Sequence, residues 1–126
     1  MYRDKPFKTD TMPSELPKSQ KKIAREIIEK GLQREYQNGI EKADAVIEKW
    51  KSEKLDNREA YISIYKKLTS HDKHLARRYD NMSGSKYLMI ISGQVADGVV
   101  SFDELGELND QARQVIQNWL DVIEGD

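Results

Sequence analysis

The segment KYLMIISGQVADGVVSFDELGEL, residues 86–108, decides the fold of this chain. Its first part is the most apolar stretch of the sequence, and the consecutive bulky residues at 88–91 would cover every side of a helix. Such a helix has to lie buried, at the centre of the protein or at an interface. A β-hairpin turning at Asp97-Gly98 is the alternative, because Asp-Gly between apolar stretches is a strong turn signal. Residues 87–91 do not alternate, however, and no other segment offers a strand to pair with them.

The second part of the segment has the spacing of half a calcium loop, with Gly98, Ser101 and Glu104 at the appropriate positions. Two positions that normally supply oxygen ligands fall on Gly93 and Val95, which argues against calcium. A corner between two helices explains the same residues better. Gly98 would take a positive φ just past a helix end, and Ser101 and Glu104 would form a capping box for the next helix. The corner is therefore the prediction.

Outside this segment, apolar residues recur every three to five positions, which is a helical period. Helices are expected at residues 18–38, 40–54, 57–80, 85–97 and 102–124. Gly39 interrupts the first run, so the sequence leaves open whether 18–54 is one kinked helix or two. We predict an all-α fold, an antiparallel helical bundle of four to five helices in a single domain over 18–126. Three prolines within residues 1–17 indicate an extended, flexible N-terminal arm.

Composition excludes several chemistries. The chain has 126 residues and no cysteine, which rules out disulfides, thiolate metal sites and a cysteine nucleophile. The first residues lack the apolar core of a secretory signal, and the longest uncharged run is too short to cross a membrane. We therefore expect a cytoplasmic protein without a membrane partner. The net charge is only −1, but residues 54–86 carry eight basic and four acidic groups, whereas 97–126 carry one basic and eight acidic groups.

The two histidines are the remaining candidates for a metal site. His71 and His74 are three positions apart and would share a face of a helix, but a third ligand would have to come from Asp72, which points a different way, or from elsewhere in the chain. Ser70 beside His71 does not give attack geometry on a helix, and no nucleophile elbow is present. We predict no catalytic residue, no cofactor and no cofactor-binding residue, and expect that the protein is not an enzyme.

Nucleic-acid binding is the main alternative function, because two basic clusters lie at residues 18–25 and 66–86. The candidate contacts to an anion or nucleic acid are Lys18, Lys21, Lys22, Arg25, Lys73, Arg77, Arg78 and Lys86. A helix-turn-helix reader would have to present residues 85–94 to base edges, and this stretch is the least polar in the chain. The sequence pI near 6.2 also disfavours this function.

The preferred hypothesis is a non-catalytic helical protein that acts through protein–protein contacts. Long amphipathic helices with several tyrosines and two tryptophans suit packing against another chain or a second copy. For a homodimer, the expected surface is the exposed apolar part of 85–97. Most tyrosines are expected to complete the core of the monomer, with the ring inside and the hydroxyl at its edge. The tyrosines concerned are Tyr36, Tyr61, Tyr65, Tyr79 and Tyr87.

Overall fold

A computed structural model describes residues 16–80 and 82–125 of the chain. They form four α-helices, α1 (Lys18–Lys51), α2 (Asn57–Tyr79), α3 (Tyr87–Ala96) and α4 (Asp110–Glu124), with short 3-10 helices at Gly84–Lys86 and Phe102–Leu105. No strand occurs in these residues, which confirms the predicted all-α helical bundle and excludes the β-hairpin alternative. Residues 1–15 of the predicted arm lie outside the described residues. Leu16, near the end of that arm, is buried.

The sequence leaves open whether residues 18–54 form one kinked helix or two, and the structure has one, since α1 runs without interruption through Asn38-Gly39. Gly39 is buried, and the ring of His71 occupies the space where a side chain would lie. A Cβ atom placed on Gly39 would be 2.6 Å from Cδ2 of His71. The packing of this ring explains a glycine that otherwise costs a helix about 1 kcal/mol relative to alanine.

The end of α1 is a Schellman motif that reverses the chain. The amide of Lys54 donates to the carbonyl of Lys49 (2.8 Å), and the amide of Glu53 donates to that of Trp50 (3.0 Å). The motif requires a left-handed residue past the helix end, and Glu53 takes this conformation with a φ of 65°. The helix therefore ends at Lys51, three residues before the predicted boundary.

The predicted corner after α3 is confirmed. Gly98 has a φ of 77°, and the amides of Gly98 and Val99 donate to the carbonyls of Val95 (3.0 Å) and Gln94 (2.8 Å) in a second Schellman motif. Ser101 and Glu104 form the expected capping box, in which the Ser101 amide donates to Glu104 Oε1 at 2.9 Å.

The last helix is shorter than predicted. The capping box at Ser101 starts only the 3-10 helix Phe102–Leu105, and α4 begins at Asp110 instead of continuing from residue 102. The cause is Asn109, whose side-chain oxygen accepts the amide of Ala112 at 2.8 Å and so provides a new helix start. A side chain that binds the backbone in this way competes with helix continuation.

The described chain divides into two compact units. The core unit comprises residues 16–31 and 82–125, and the hairpin unit comprises Leu32–Asp80. The helix α1 contributes residues to both. The prediction of a single domain did not include this division.

The core unit is built around α3, which packs on α4 and is buried as its apolar composition predicted. Gln94 also ties α3 to α1, because its Nε2 donates to the carbonyl of Ile28 at 3.1 Å. Four-residue spacing places Ala112, Ile116 and Leu120 on one face of α4, and all three are buried. The other buried apolar side chains of the unit are Leu16, Ala24, Ile27, Ile28, Tyr87, Leu88, Ile90, Ile91, Val100, Leu105 and Leu108.

The hairpin unit consists of residues 32–51 of α1 and the whole of α2, in antiparallel orientation. At the turn, Trp50 Nε1 donates to Asn57 Oδ1 at 2.7 Å. Asp56 and Glu59 form a capping box that starts α2, with hydrogen bonds of 2.8 and 2.9 Å. At the other end, Glu35 of α1 contacts the last turns of α2.

Candidate interaction surface

The two helices of the hairpin unit meet through a polar seam. Within residues 32–51, the buried positions are Glu35, Gly39 and Val46. On α2 they are Ala60 and Leu75. Small and polar residues therefore occupy most of this helix contact, and hydrogen bonds supply much of its specificity.

Glu35 is the centre of the seam and accepts hydrogen bonds at three oxygen atoms. His74 Nε2 donates to Oε1 at 2.6 Å, while Arg78 Nη1 and Tyr79 Oη donate to Oε2 at 2.9 and 2.5 Å. His71 Nε2 donates to the backbone carbonyl of Glu35 at 2.6 Å. The positions 71, 74 and 78 share one face of α2 because residues three and four apart are neighbours on a helix. One acidic residue thus fixes the last two turns of α2 against α1.

The protonation of this cluster follows from its contacts. Burial raises the pKa of the Glu35 carboxyl, but hydrogen bonds from Tyr79, His74 and Arg78, together with the charge of Arg78, hold the pKa below its usual value. The side chains of Glu35 and Arg78 are only 4% and 12% exposed, so solvent screens this ion pair little. An ionised carboxylate that is already saturated with donors is a poor general base. We assign Glu35 a structural role.

One side of the hairpin unit presents an apolar groove. It is lined by Tyr36, Gly39 and Ile40 from α1 and by Leu68, His71, Asp72 and Leu75 from α2. Tyr65 and Tyr61, three and seven residues before Leu68, extend the same face towards the start of α2. Ile40, Tyr61 and Tyr65 are 66%, 77% and 65% exposed. We call the groove together with Tyr61 and Tyr65 the apolar surface.

This exposure corrects the prediction that most tyrosines complete the core. Tyr87 is buried and Tyr79 takes part in the seam, but Tyr36, Tyr61 and Tyr65 face outwards. The apolar stripe of α1 includes positions 36 and 40, each one residue after a buried position and so about 100° further round the axis. The helix turns its Glu35 face, rather than its apolar stripe, towards α2.

The region expected to form a homodimer surface exposes little apolar area. Within 85–97, Tyr87, Leu88, Ile90 and Ile91 are buried. Met89 is the one large apolar side chain of this region that is exposed, at 47%. Large apolar side chains are exposed elsewhere in both units, among them Val122 and Ile123 on α4 and Ile40, Tyr61 and Tyr65 on the hairpin unit.

A second hollow, which we call the basic hollow, lies around the middle of α2. It is lined by Lys42 from α1 and by Lys66, Lys67, Ser70, His71 and His74 from α2. Ser70 lies two residues after Leu68, about 200° round the helix, so the hollow opens on a different side from the apolar groove. The His71 ring lines both, because it lies in the seam beside Gly39.

The predicted cationic residues are divided between the two units. In the core unit lie Lys18, Lys21, Lys22, Arg25 and Lys86, and on α2 of the hairpin unit lie Lys73, Arg77 and Arg78. The side chain of Lys21 packs beside Gly84, two residues before Lys86. Arg78 is committed to Glu35. None of the eight lines the basic hollow, although the predicted cluster at 66–86 includes its Lys66 and Lys67.

Two residues of this region had no role in the sequence prediction. Glu35 had a local signal, because it stands four residues from both Gly31 and Gly39, and small residues at helical spacing mark a close approach between helices. Lys42 had none, since only the pairing of α1 with α2 brings it to Lys66 and Lys67. The predicted metal candidates, His71 and His74, lie together with ring centroids 6.0 Å apart.

Within residues 16–80 and 82–125, no three histidine, aspartate or glutamate side chains are grouped so as to hold a metal ion. None of the helices in that part of the chain combines the length and apolar character that a membrane span requires. No protein-family model, curated protein or solved structure matches this chain.

Proposed function

We propose that this protein is a non-catalytic adaptor that binds an amphipathic α-helix of another protein through the apolar surface of the hairpin unit. The observation that carries the proposal is the outward position of Ile40, Tyr61 and Tyr65 on a folded helical pair. Contiguous exposed apolar side chains on a soluble protein are typical of interaction sites. Tyrosine in particular is enriched at the centre of protein interfaces.

The shape of the surface favours a helix as the bound element. The groove runs between two antiparallel helices, and both contribute to its lining. A third helix can lay apolar residues at i, i+4 and i+7 along such a groove, which is the usual helix-in-groove mode of recognition. Tyr65 and Tyr61 would continue this contact by about two helical turns.

The charge of α2 favours an acidic partner over a second copy. The helix has six basic residues and two acidic ones, a net charge of +4, although one of the acidic residues, Asp72, lines the groove itself. A partner helix with Glu or Asp beside its apolar stripe would be attracted, whereas two copies pairing through this same surface would bring like charges together. We therefore propose a different protein as the partner.

The Glu35 network supports binding by holding the surface in place. Its four donors fix residues 71–79 to α1, and Leu75 and His71 of this segment line the groove. A surface that is ordered before binding loses less conformational entropy on association.

The test uses a labelled amphipathic helical peptide of about five turns, with leucines at helical spacing and glutamates on both flanks. We expect fluorescence anisotropy to show saturable binding, weakened about tenfold or more by Tyr61→Ser/Tyr65→Ser because each ring loses a large apolar contact. Both rings are exposed, so circular dichroism of this variant should match that of the wild type.

Two controls decide the result. The same peptide with lysines on its flanks should bind at least about tenfold more weakly, because α2 would repel it. Trp119→Ser changes an exposed aromatic residue of the core unit and should leave binding unchanged. Equal binding of both peptides would overturn the acidic-partner proposal. So would light scattering that shows a dimer which Tyr61→Ser/Tyr65→Ser dissociates.

A further inference from the structure

We infer that the basic hollow is a binding site for a single phosphomonoester group, and that it opens on a different side of the hairpin unit from the apolar surface, with the His71 ring shared between them. Its lining provides three ammonium groups, one hydroxyl and two imidazoles, and includes no carboxylate. Lys42, Lys66 and Lys67 form no ion pair within residues 16–80 and 82–125, in contrast to Arg78, which Glu35 neutralises. Two helices thus bring three uncompensated positive charges to one concave place.

The hydrogen bonds of the histidines show which ring nitrogen is engaged by Glu35, namely Nε2 in both rings. A carbonyl oxygen can only accept, so His71 Nε2 must carry a hydrogen in its bond to Glu35. The same holds for His74 Nε2, because the Glu35 carboxylate is kept ionised by its neighbours. Both rings are therefore fixed by the hydrogen bonds of their Nε2 atoms to Glu35, and both line the hollow.

The surrounding charge decides between a metal ion and an anion. Histidines that donate one nitrogen to a carbonyl or carboxylate are also typical metal ligands. Each ammonium group about 4 Å from a bound ion would repel a divalent cation, by roughly 1 kcal/mol per unit charge in water and several times more in a partly buried site. Three such groups disfavour a metal and favour an oxyanion. The metal hypothesis for His71 and His74 is thereby replaced by an anion hypothesis.

The charge of the hollow favours a monoester. A phosphomonoester carries a charge of roughly −1.5 to −2 near neutral pH, which three lysines can match. A nucleic acid carries one charge per phosphate and needs a row of cations along its backbone. Of the other basic residues of α2, Lys73 and Arg77 do not line the hollow, and Arg78 is paired with Glu35. Arg58 lines a neighbouring hollow together with Lys66 and Lys67, but Glu59 lines it too, so α2 offers one further cation there and not a row.

The experiment follows the histidine ring signals by proton NMR, since the chain has only two histidines. O-phosphoserine and a phosphoserine peptide are titrated at constant ionic strength. We expect saturable shifts of both histidine signals. The variant Lys66→Gln/Lys67→Gln should weaken binding about tenfold or more, because it removes two charge-assisted contacts. Tighter binding of the peptide would place the group on a protein, and tighter binding of free O-phosphoserine would indicate a small molecule; either supports the site.

The matched control is Lys73→Gln/Arg77→Gln, which removes the same charge from α2 outside the hollow and should leave affinity within about twofold. Equal weakening by both double variants would show general attraction to a basic helix and overturn the site. Tighter binding of a single-stranded oligonucleotide, sensitive to Lys73→Gln/Arg77→Gln, would assign the helix to nucleic acid instead. An absence of shifts at millimolar O-phosphoserine would also reject the proposal.

Discussion

The core unit buries many more apolar side chains than the hairpin unit, although both units also expose some. In the core unit, Ile91, Leu105 and Ile116 are completely buried between helices. In the hairpin unit, a carboxylate holds the helices together at one end, and side chains such as Ile40 and Tyr65 face outwards. Burial of apolar area stabilises the first unit directly, whereas in the second much of that area stays exposed.

The difference assigns separate roles to the two units. A helix pair with few buried apolar residues gains little from the hydrophobic effect, so its polar contacts have to be satisfied for it to keep a single geometry. The Glu35 network meets this requirement while leaving the apolar surface exposed. The core unit supplies stability, and the hairpin unit supplies a shaped surface.

The largest effect is expected from a cavity in the core unit. Ile116→Ala should lower the free energy of unfolding by about 3 kcal/mol, because it removes a completely buried side chain and leaves a void. Chemical denaturation followed by circular dichroism measures the change. The control is Ile123→Ala on the same helix, where the side chain is 49% exposed and the loss should stay below about 1 kcal/mol. Similar losses for both variants would contradict the assignment of the core.

The next effect concerns the hairpin seam. Glu35→Gln keeps the shape of the side chain but removes its charge, leaving the nearly buried guanidinium of Arg78 without its anion. We expect a loss of about 2 kcal/mol, detected as faster amide hydrogen exchange in residues 32–80. Exchange in the core unit should change less. Equally faster hydrogen exchange in both units would contradict the proposal that the Glu35 network stabilises the hairpin unit in particular.

The same variant has a pH signature. Because the pKa of Glu35 is lowered in the folded protein, the folded state binds fewer protons at this site than the unfolded state does. Its stabilising contribution is complete above the unfolded pKa of about 4.3 and is lost as the pH falls through the lower folded value. The difference in unfolding free energy between wild type and Glu35→Gln should therefore shrink as the pH is lowered below the unfolded pKa. A constant difference would exclude Glu35 as the source.

The sequence predicts the two units unequally well. The burial of α3 and the corner at Gly98 follow from local signals, namely a run of bulky residues and a capping box, so both are confirmed. The orientation of residues 32–51 cannot be predicted from local signals. The face of α1 that carries Glu35 turns towards α2 because of hydrogen-bond donors more than thirty residues away in the sequence. For the start of α4, Ser101 and Asn109 are both good caps, and local sequence does not rank them. The basic hollow needs Lys42, which only tertiary pairing brings into place.

Gly39 offers a test of the seam by a reversal of sign. Alanine in place of a helical glycine normally stabilises by about 1 kcal/mol, but here its Cβ would meet the His71 ring at 2.6 Å. Gly39→Ala should therefore destabilise the protein by about 1 kcal/mol as the ring moves and its bond to the Glu35 carbonyl is lost. In a His71→Ala background the same change should stabilise. Thermal unfolding of the wild type, the two single variants and the double variant measures this double-mutant cycle. Stabilisation by Gly39→Ala in both backgrounds would show that the His71 ring does not occupy the space beside Gly39.

The smallest changes in stability are expected at the two Schellman motifs, one in each unit. Gly98 and Glu53 occupy the same left-handed position, with φ of 77° and 65°, but only the core unit has a glycine there. Glu53→Gly should stabilise by about 0.5–1 kcal/mol, and Gly98→Ala should destabilise by about 1 kcal/mol. A Cβ on Gly98 would meet no atom within 4 Å, so the stability change of Gly98→Ala should come from backbone conformation alone. Denaturation midpoints of the two variants should therefore move in opposite directions. A loss of stability in Glu53→Gly would mean that the Glu53 side chain contributes more than its strained backbone costs.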